Sequence, residues 1–76
     1  MKIDTTRVDE AVLALMVLGL HAGNRAWKSF DWDALGRLHS CGYISDPTTS
    51  AKSVVLSAAG LARAQQQLQE LFGKEG

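Results

Sequence analysis

Apolar residues run without a break from Ala11 to Leu20, with Val8 just ahead of them, and this segment constrains the fold more than any other. At helical spacing Val8, Val12, Leu15 and Met16 form one face, while Leu13, Val17, Leu18 and Leu20 form much of the other. A helix apolar nearly all round must be covered on both sides. The chain has 76 residues, enough for a single domain of 1–76 and no more. A domain so short buries only about 60% of the surface it exposes unfolded. One copy therefore has too little protein to cover this helix, and self-association is expected.

The helix is predicted to start at Thr5 or Thr6, with Thr6 as cap and Asp9 complementing the macrodipole. It is predicted to run to His21 or Ala22 and to stop at Gly23-Asn24. Arg25 to Phe30 reads as one turn of helix or an ordered loop. A second helix opens at Asp31, where Phe30 and Leu35 have the spacing of a hydrophobic staple. It ends at Gly42, whose left-handed conformation places Leu38 near Tyr43. Its buried stripe is Ala34, Leu35, Leu38 and Cys41. Tyr43-Ile44 and Lys52–Leu56 read as a hairpin around the turn residues Asp46 to Ser50. Ser57 caps a last helix with Leu61, Ala64, Leu68, Leu71 and Phe72 at helical spacing, and Gly73 ends it. Gly60 lies in its first turn, where glycine costs up to about 1 kcal/mol relative to alanine. Close approach of another backbone is the expected reason. The fold class is mainly α with a small β-hairpin, a winged-helix-like three-helix domain.

Eight Lys and Arg balance eight Asp and Glu, so the net charge is zero and no overall field draws the chain to nucleic acid or membrane. Apolar residues at 46% exclude a disordered chain. Cys41 is alone, which rules out an internal disulfide and fits a reducing, cytoplasmic compartment. No stretch reaches the ~20 apolar residues that span a bilayer. The Ala11–Leu20 run imitates a secretory signal core, but Asp4, Asp9 and Glu10 stand where such a signal is basic.

Leu35-x-x-Leu38-x-x-x-Gly42-Tyr43-Ile44, followed by Ser53-Val54-Val55-Leu56-Ser57-x-x-Gly60, resembles the recognition-helix-and-wing segment of winged helix-turn-helix regulators of the multiple-antibiotic-resistance type. Tyr43 and Ser57 replace the Leu and Thr usual there. A broader set of runs is similar to a family of short bacterial proteins of uncharacterised function. These are Ile3-Asp4, Asp9 to Leu15, Gly23 to Lys28, Phe30 to Asp33 and Ala51 to Leu56. That resemblance implies a bacterial cytosolic protein and supplies no catalytic or binding residues.

For duplex DNA the candidate contacts are Arg37, Ser40 and Lys52, with Asp31 and Asp33 opposing phosphate at the start of the same helix. Trp27, Phe30 and Trp32 put three large rings into six residues, and so small a core leaves at least one of them exposed. A partner-binding patch is therefore expected from Arg25, Trp27, Lys28 and Trp32. His39 and Cys41 point about 200° apart on a helix and cannot share a metal ion. No glycine-rich phosphate loop or ordered nucleophile motif occurs, so neither catalysis nor a cofactor is expected. The expected dimer interface takes Val12, Leu13, Met16, Val17 and Leu20 from the first helix. The last helix adds Leu68, Leu71 and Phe72. The leading functional expectation is a dimerising protein-interaction module with an unidentified protein partner. The alternative is a winged-helix DNA-binding regulator.

Overall fold

Helices α1 (Thr5–Leu18), α2 (Trp32–Ser40) and α3 (Ala58–Phe72) alternate with strands β1 (Arg25–Trp27) and β2 (Ser53–Val55) in a computed structural model. Residues 1–74 are described, so the last two residues of the expected 1–76 domain lie outside them. The architecture is mainly α, three helices with one small two-stranded antiparallel sheet.

The helix ends follow local side-chain chemistry. Asp4, rather than Thr6, caps α1, its carboxylate accepting from the backbone N–H groups of Thr6 (3.1 Å) and Arg7 (3.3 Å). Asp31 caps α2 through the Ala34 N–H at 3.1 Å. At the other end of α2, Gly42 takes φ 79°. The Tyr43 N–H donates to the Leu38 carbonyl (3.1 Å) and the Gly42 N–H to that of His39 (2.9 Å), which makes the predicted Schellman ending. Ser57 caps α3 through the Gly60 N–H at 2.9 Å.

Two elements differ from the sequence reading. Helix α1 stops at Leu18 rather than at His21 or Ala22. Ala22 (φ 45°) and Gly23 (φ 88°) instead turn the chain so that His21 pairs with Arg25. The segment after this turn is a strand, neither helix nor loop. β1 pairs with β2 in the register Arg25↔Val55, Ala26↔Val54, Trp27↔Ser53. The expected hairpin arm survives as one bridge, Ile44↔Leu56, with the Ser45 N–H donating to the Val55 carbonyl at 2.9 Å.

The core lies where α1 meets α2, α3 and the inner face of the sheet. Leu13, Met16, Leu35, Val54 and Leu56 are fully buried there, each such side chain worth about 1.5–3 kcal/mol of transfer energy. Helices α1 and α3 run side by side in the same direction. Glu10 meets Arg63 near their starts, and Leu18 lines a shallow depression with Leu68 and Phe72 near their ends.

This packing corrects the expectation that one copy leaves α1 uncovered on several sides. Val12, Leu13 and Met16, expected at a subunit interface, are buried in the chain's own core. Val17 and Leu20 pack against that core, and Leu68 and Leu71 are half-buried. The cover comes in part from β1, a segment read as a turn of helix or a loop, whose Ala26 is buried. What remains open is Leu15 (41% exposed), Leu18 (71%) and Phe72 (52%). Cys41 is exposed rather than part of the α2 stripe, because it is the C-cap residue, beyond the last turn that faces the core.

Candidate functional site

A groove of about 880 Å³ opens where α1, α2 and α3 converge. Trp32, Gly36, Tyr43 and Cys41 are among its walls. Two ion pairs cross it. The Arg37 guanidinium grips Asp9 with both arms, Nε to Oδ2 at 2.7 Å and Nη2 to Oδ1 at 2.8 Å. This hydrogen bond raises the pKa of Arg37 above the ordinary arginine value; desolvation opposes the rise, and Asp9, Asp31 and Asp33 add to it by charge. Arg63 meets Glu10 at 3.3 Å. Between them lies Gln67, whose amide is buried. With its nitrogen turned toward Glu10 (3.2 Å), its oxygen accepts from Arg63 at 3.0 Å, so every group in this cluster is satisfied.

This arrangement separates the residues singled out for DNA. Arg37 and Ser40 line the groove, but Arg37 is already held by Asp9. Lys52 stands elsewhere, at the end of the sheet, where its carbonyl accepts the Lys28 N–H at 3.3 Å.

The expected patch of Arg25, Trp27, Lys28 and Trp32 is divided as well. Trp32 lines the groove, Trp27 lies on the sheet, and both indoles are more than half exposed. Phe30 instead packs against the core. The Lys28 ammonium donates to the carbonyls of Pro47 and Thr49, each at 2.7 Å, and so pins the turn between α2 and β2. Arg25 and Trp27 share the outer face of the sheet, where Trp27 stacks on His21 with ring centroids 4.2 Å apart.

A third surface escaped the sequence reading in this form. Val8, Ala11, Leu15 and Leu18 are spaced three, four and three residues apart, which sets them in one line along the outer side of α1. Val8 and Ala11 are half-buried and the two leucines exposed, with Phe72 beside Leu18. The spacing was available in the sequence, but the stronger apolar signal of Val12, Leu13 and Met16 masked it. Among the described residues, no three His, Cys, Asp or Glu side chains converge to hold a metal ion. Among the same described residues, no helix is long and apolar enough to cross a membrane.

Comparison with known proteins fits the broader of the two resemblances. An uncharacterized protein of Sinorhizobium fredii (strain NBRC 101917 / NGR234), y4hR, is 47% identical over 72 residues, covering 95% of this chain and 97% of that one. No solved structure matches the chain. Residues 4–74 match the family described as Domain of unknown function (DUF6429), and the chain belongs to that family.

Proposed function

We propose that this chain is a non-catalytic protein-interaction module that works as a homodimer. The observation that carries this reading is the line of Val8, Ala11, Leu15 and Leu18 on the outside of α1, three of whose four members are larger than alanine. Its three-four-three spacing is that of a seam between two helices. The line is also self-complementary. In an antiparallel pair about a two-fold axis between Ala11 and Leu15, Ala11 faces the partner's Leu15 and Val8 faces the partner's Leu18. Small then meets large along the seam, and the two macrodipoles oppose each other favourably. Phe72 extends the apolar strip beyond Leu18.

The seam is short against the ~800 Å² per partner of a standard interface, so the dimer is of micromolar affinity rather than obligate. Light scattering after size exclusion tests this across a dilution series. The mass should rise from 8.2 kDa toward twice that value with concentration. Leu18→Glu should hold it at the monomer value, while Thr49→Glu, in the exposed turn between α2 and β2, should not. A parent chain that stays monomeric at several hundred micromolar would end the proposal. The regulator reading loses its central cation, since Arg37 is committed to Asp9.

A further inference from the structure

We propose that the outer face of the sheet is a binding platform for single-stranded nucleic acid, a role beyond the dimer reading and carried by different residues. Three side chains make it. His21 and Arg25 exchange both backbone hydrogen bonds, at 2.9 and 3.1 Å, and so stand opposite each other across the Ala22-Gly23 turn. Opposed residues point to the same side of a sheet, as does Trp27 two places beyond Arg25. The imidazole of His21 lies against the indole at an interplanar angle of 24°, which fixes the orientation of Trp27 while the ring stays 55% exposed.

The strands that carry this ring contain no acid although the whole chain is neutral, and Asp46 beside them is held in its turn by Thr48. Residues 11–30 and 47–69 contain no Asp or Glu, and both strands are drawn from these two stretches. Lys28 is occupied by the turn it pins, but among the described residues neither Arg25 nor Lys52 forms an ion pair. Arg25 stands directly across from Val55 on the same side as Trp27, whereas Lys52, one pair beyond Trp27↔Ser53, alternates to the other side and leaves Arg25 as the cation of this face.

A flat, stacked aromatic face with an unpaired cation beside it suits a ligand that is both planar and anionic. A single strand offers both, because an unpaired base stacks on any indole while its phosphate meets the cation. A duplex keeps its bases inside, and an acidic peptide has no planar group to stack. With Arg25 as the cation on this face of each copy, binding is weak, on the order of 100 µM at low salt.

The probe is an eight-residue oligothymidylate, titrated at low salt against the Trp32→Phe chain, in which Trp27 is the remaining indole. Saturable quenching is expected, with a log–log salt slope of about −0.7 to −1. Anisotropy of a labelled oligomer should show binding weakened about tenfold or more by Trp27→Ala. Arg25→Gln should make the salt slope shallower. Both residues are exposed, and circular dichroism reads whether each variant folds; if Trp27→Ala does not, the Arg25→Gln slope decides. Absence of saturable quenching overturns the proposal. So does a duplex of the same length, inorganic polyphosphate or a polyglutamate peptide that binds as tightly as the single strand.

Discussion

Replacing Gly60 with alanine should destabilise this domain, although the same change in an open helix stabilises. Gly60 is buried in the first turn of α3, against the backbone of Tyr43. A methyl group there would overlap the Tyr43 carbonyl oxygen and come within 2.7 Å of its carbon and 2.9 Å of its Cα. The obstacle is main chain, so no rotamer change relieves it. Nor is that carbonyl free to swing away. It accepts the Ser57 N–H at 3.0 Å, and the Ser57 hydroxyl donates to the Gly42 carbonyl. An unobstructed glycine-to-alanine change in a helix gains about 1 kcal/mol. Overpacking costs about 1–3 kcal/mol and occasionally more. Disturbing the Ser57 cap adds about 1 kcal/mol. We expect Gly60→Ala to lose about 1–3 kcal/mol net. Gly36 in α2 is the control, because a methyl there meets nothing within 4 Å. Gly36→Ala should gain about 0.5–1 kcal/mol. In a domain of this size each kcal/mol moves Tm by about 4–8 °C. Thermal and urea unfolding followed by circular dichroism should place the two variants on opposite sides of the parent. A Gly60→Ala chain as stable as the parent, or two variants shifted the same way, would refute the reasoning.

Lys28→Met removes both bonds to the 47–49 turn and should cost about 1–2 kcal/mol, with faster amide exchange from Ser45 to Lys52 as the readout. Ala22 holds a positive φ of 45°, so Ala22→Gly should raise stability by about 0.5–1 kcal/mol in the same unfolding assays. The Asp46 carboxylate accepts from the Thr48 hydroxyl and N–H, which holds its pKa below the ordinary aspartate value of 3.8. Its contribution is therefore present above 3.8 and lost as pH falls through the lower folded value; a carbon-detected NMR titration should show Asp46 among the last carboxyls to protonate, and Thr48→Ala should bring it back up. Asp9→Asn should lower stability, and a double-mutant cycle with Arg37→Ala should give favourable coupling that shrinks with added salt.

Features written in a few adjacent residues were legible from the sequence. The Asp31 and Ser57 caps and the Schellman ending at Gly42 each need only three to six consecutive residues. Gly60 was legible because a glycine in a helix asks for a tertiary reason, and the Tyr43 backbone supplies it. Strand β1 was not legible. Three residues are too few for a period, and what makes them a strand is pairing with Val55, thirty positions from Arg25. The end of α1 was misplaced for a related reason, since Gly23 serves the His21↔Arg25 turn and not the helix. The same missing strand explains the overestimate of how much of α1 lay open.

The site was legible in residue types more than in grouping. Both tryptophans were singled out and both are exposed, yet they lie on different surfaces. Arg37 was read as a free cation because its partner Asp9 lies 28 positions away. Lys28 was assigned to a patch because its bonds to Pro47 and Thr49 span similar distances in sequence. The acid-free stretches that supply the sheet also stand in the sequence, but the balanced totals of eight and eight hid them.

Pairing of the α1 helices is tested most directly by a filtered NOE experiment on an equal mixture of isotope-labelled and unlabelled chain at millimolar concentration. Val8 and Leu18 are ten residues apart on one helix, about 15 Å, too far for an NOE within a subunit. The antiparallel seam predicts methyl contacts between Val8 of one copy and Leu18 of the other, lost in Leu18→Glu. A spectrum without them, from a sample whose diffusion is that of a single chain, would contradict the account.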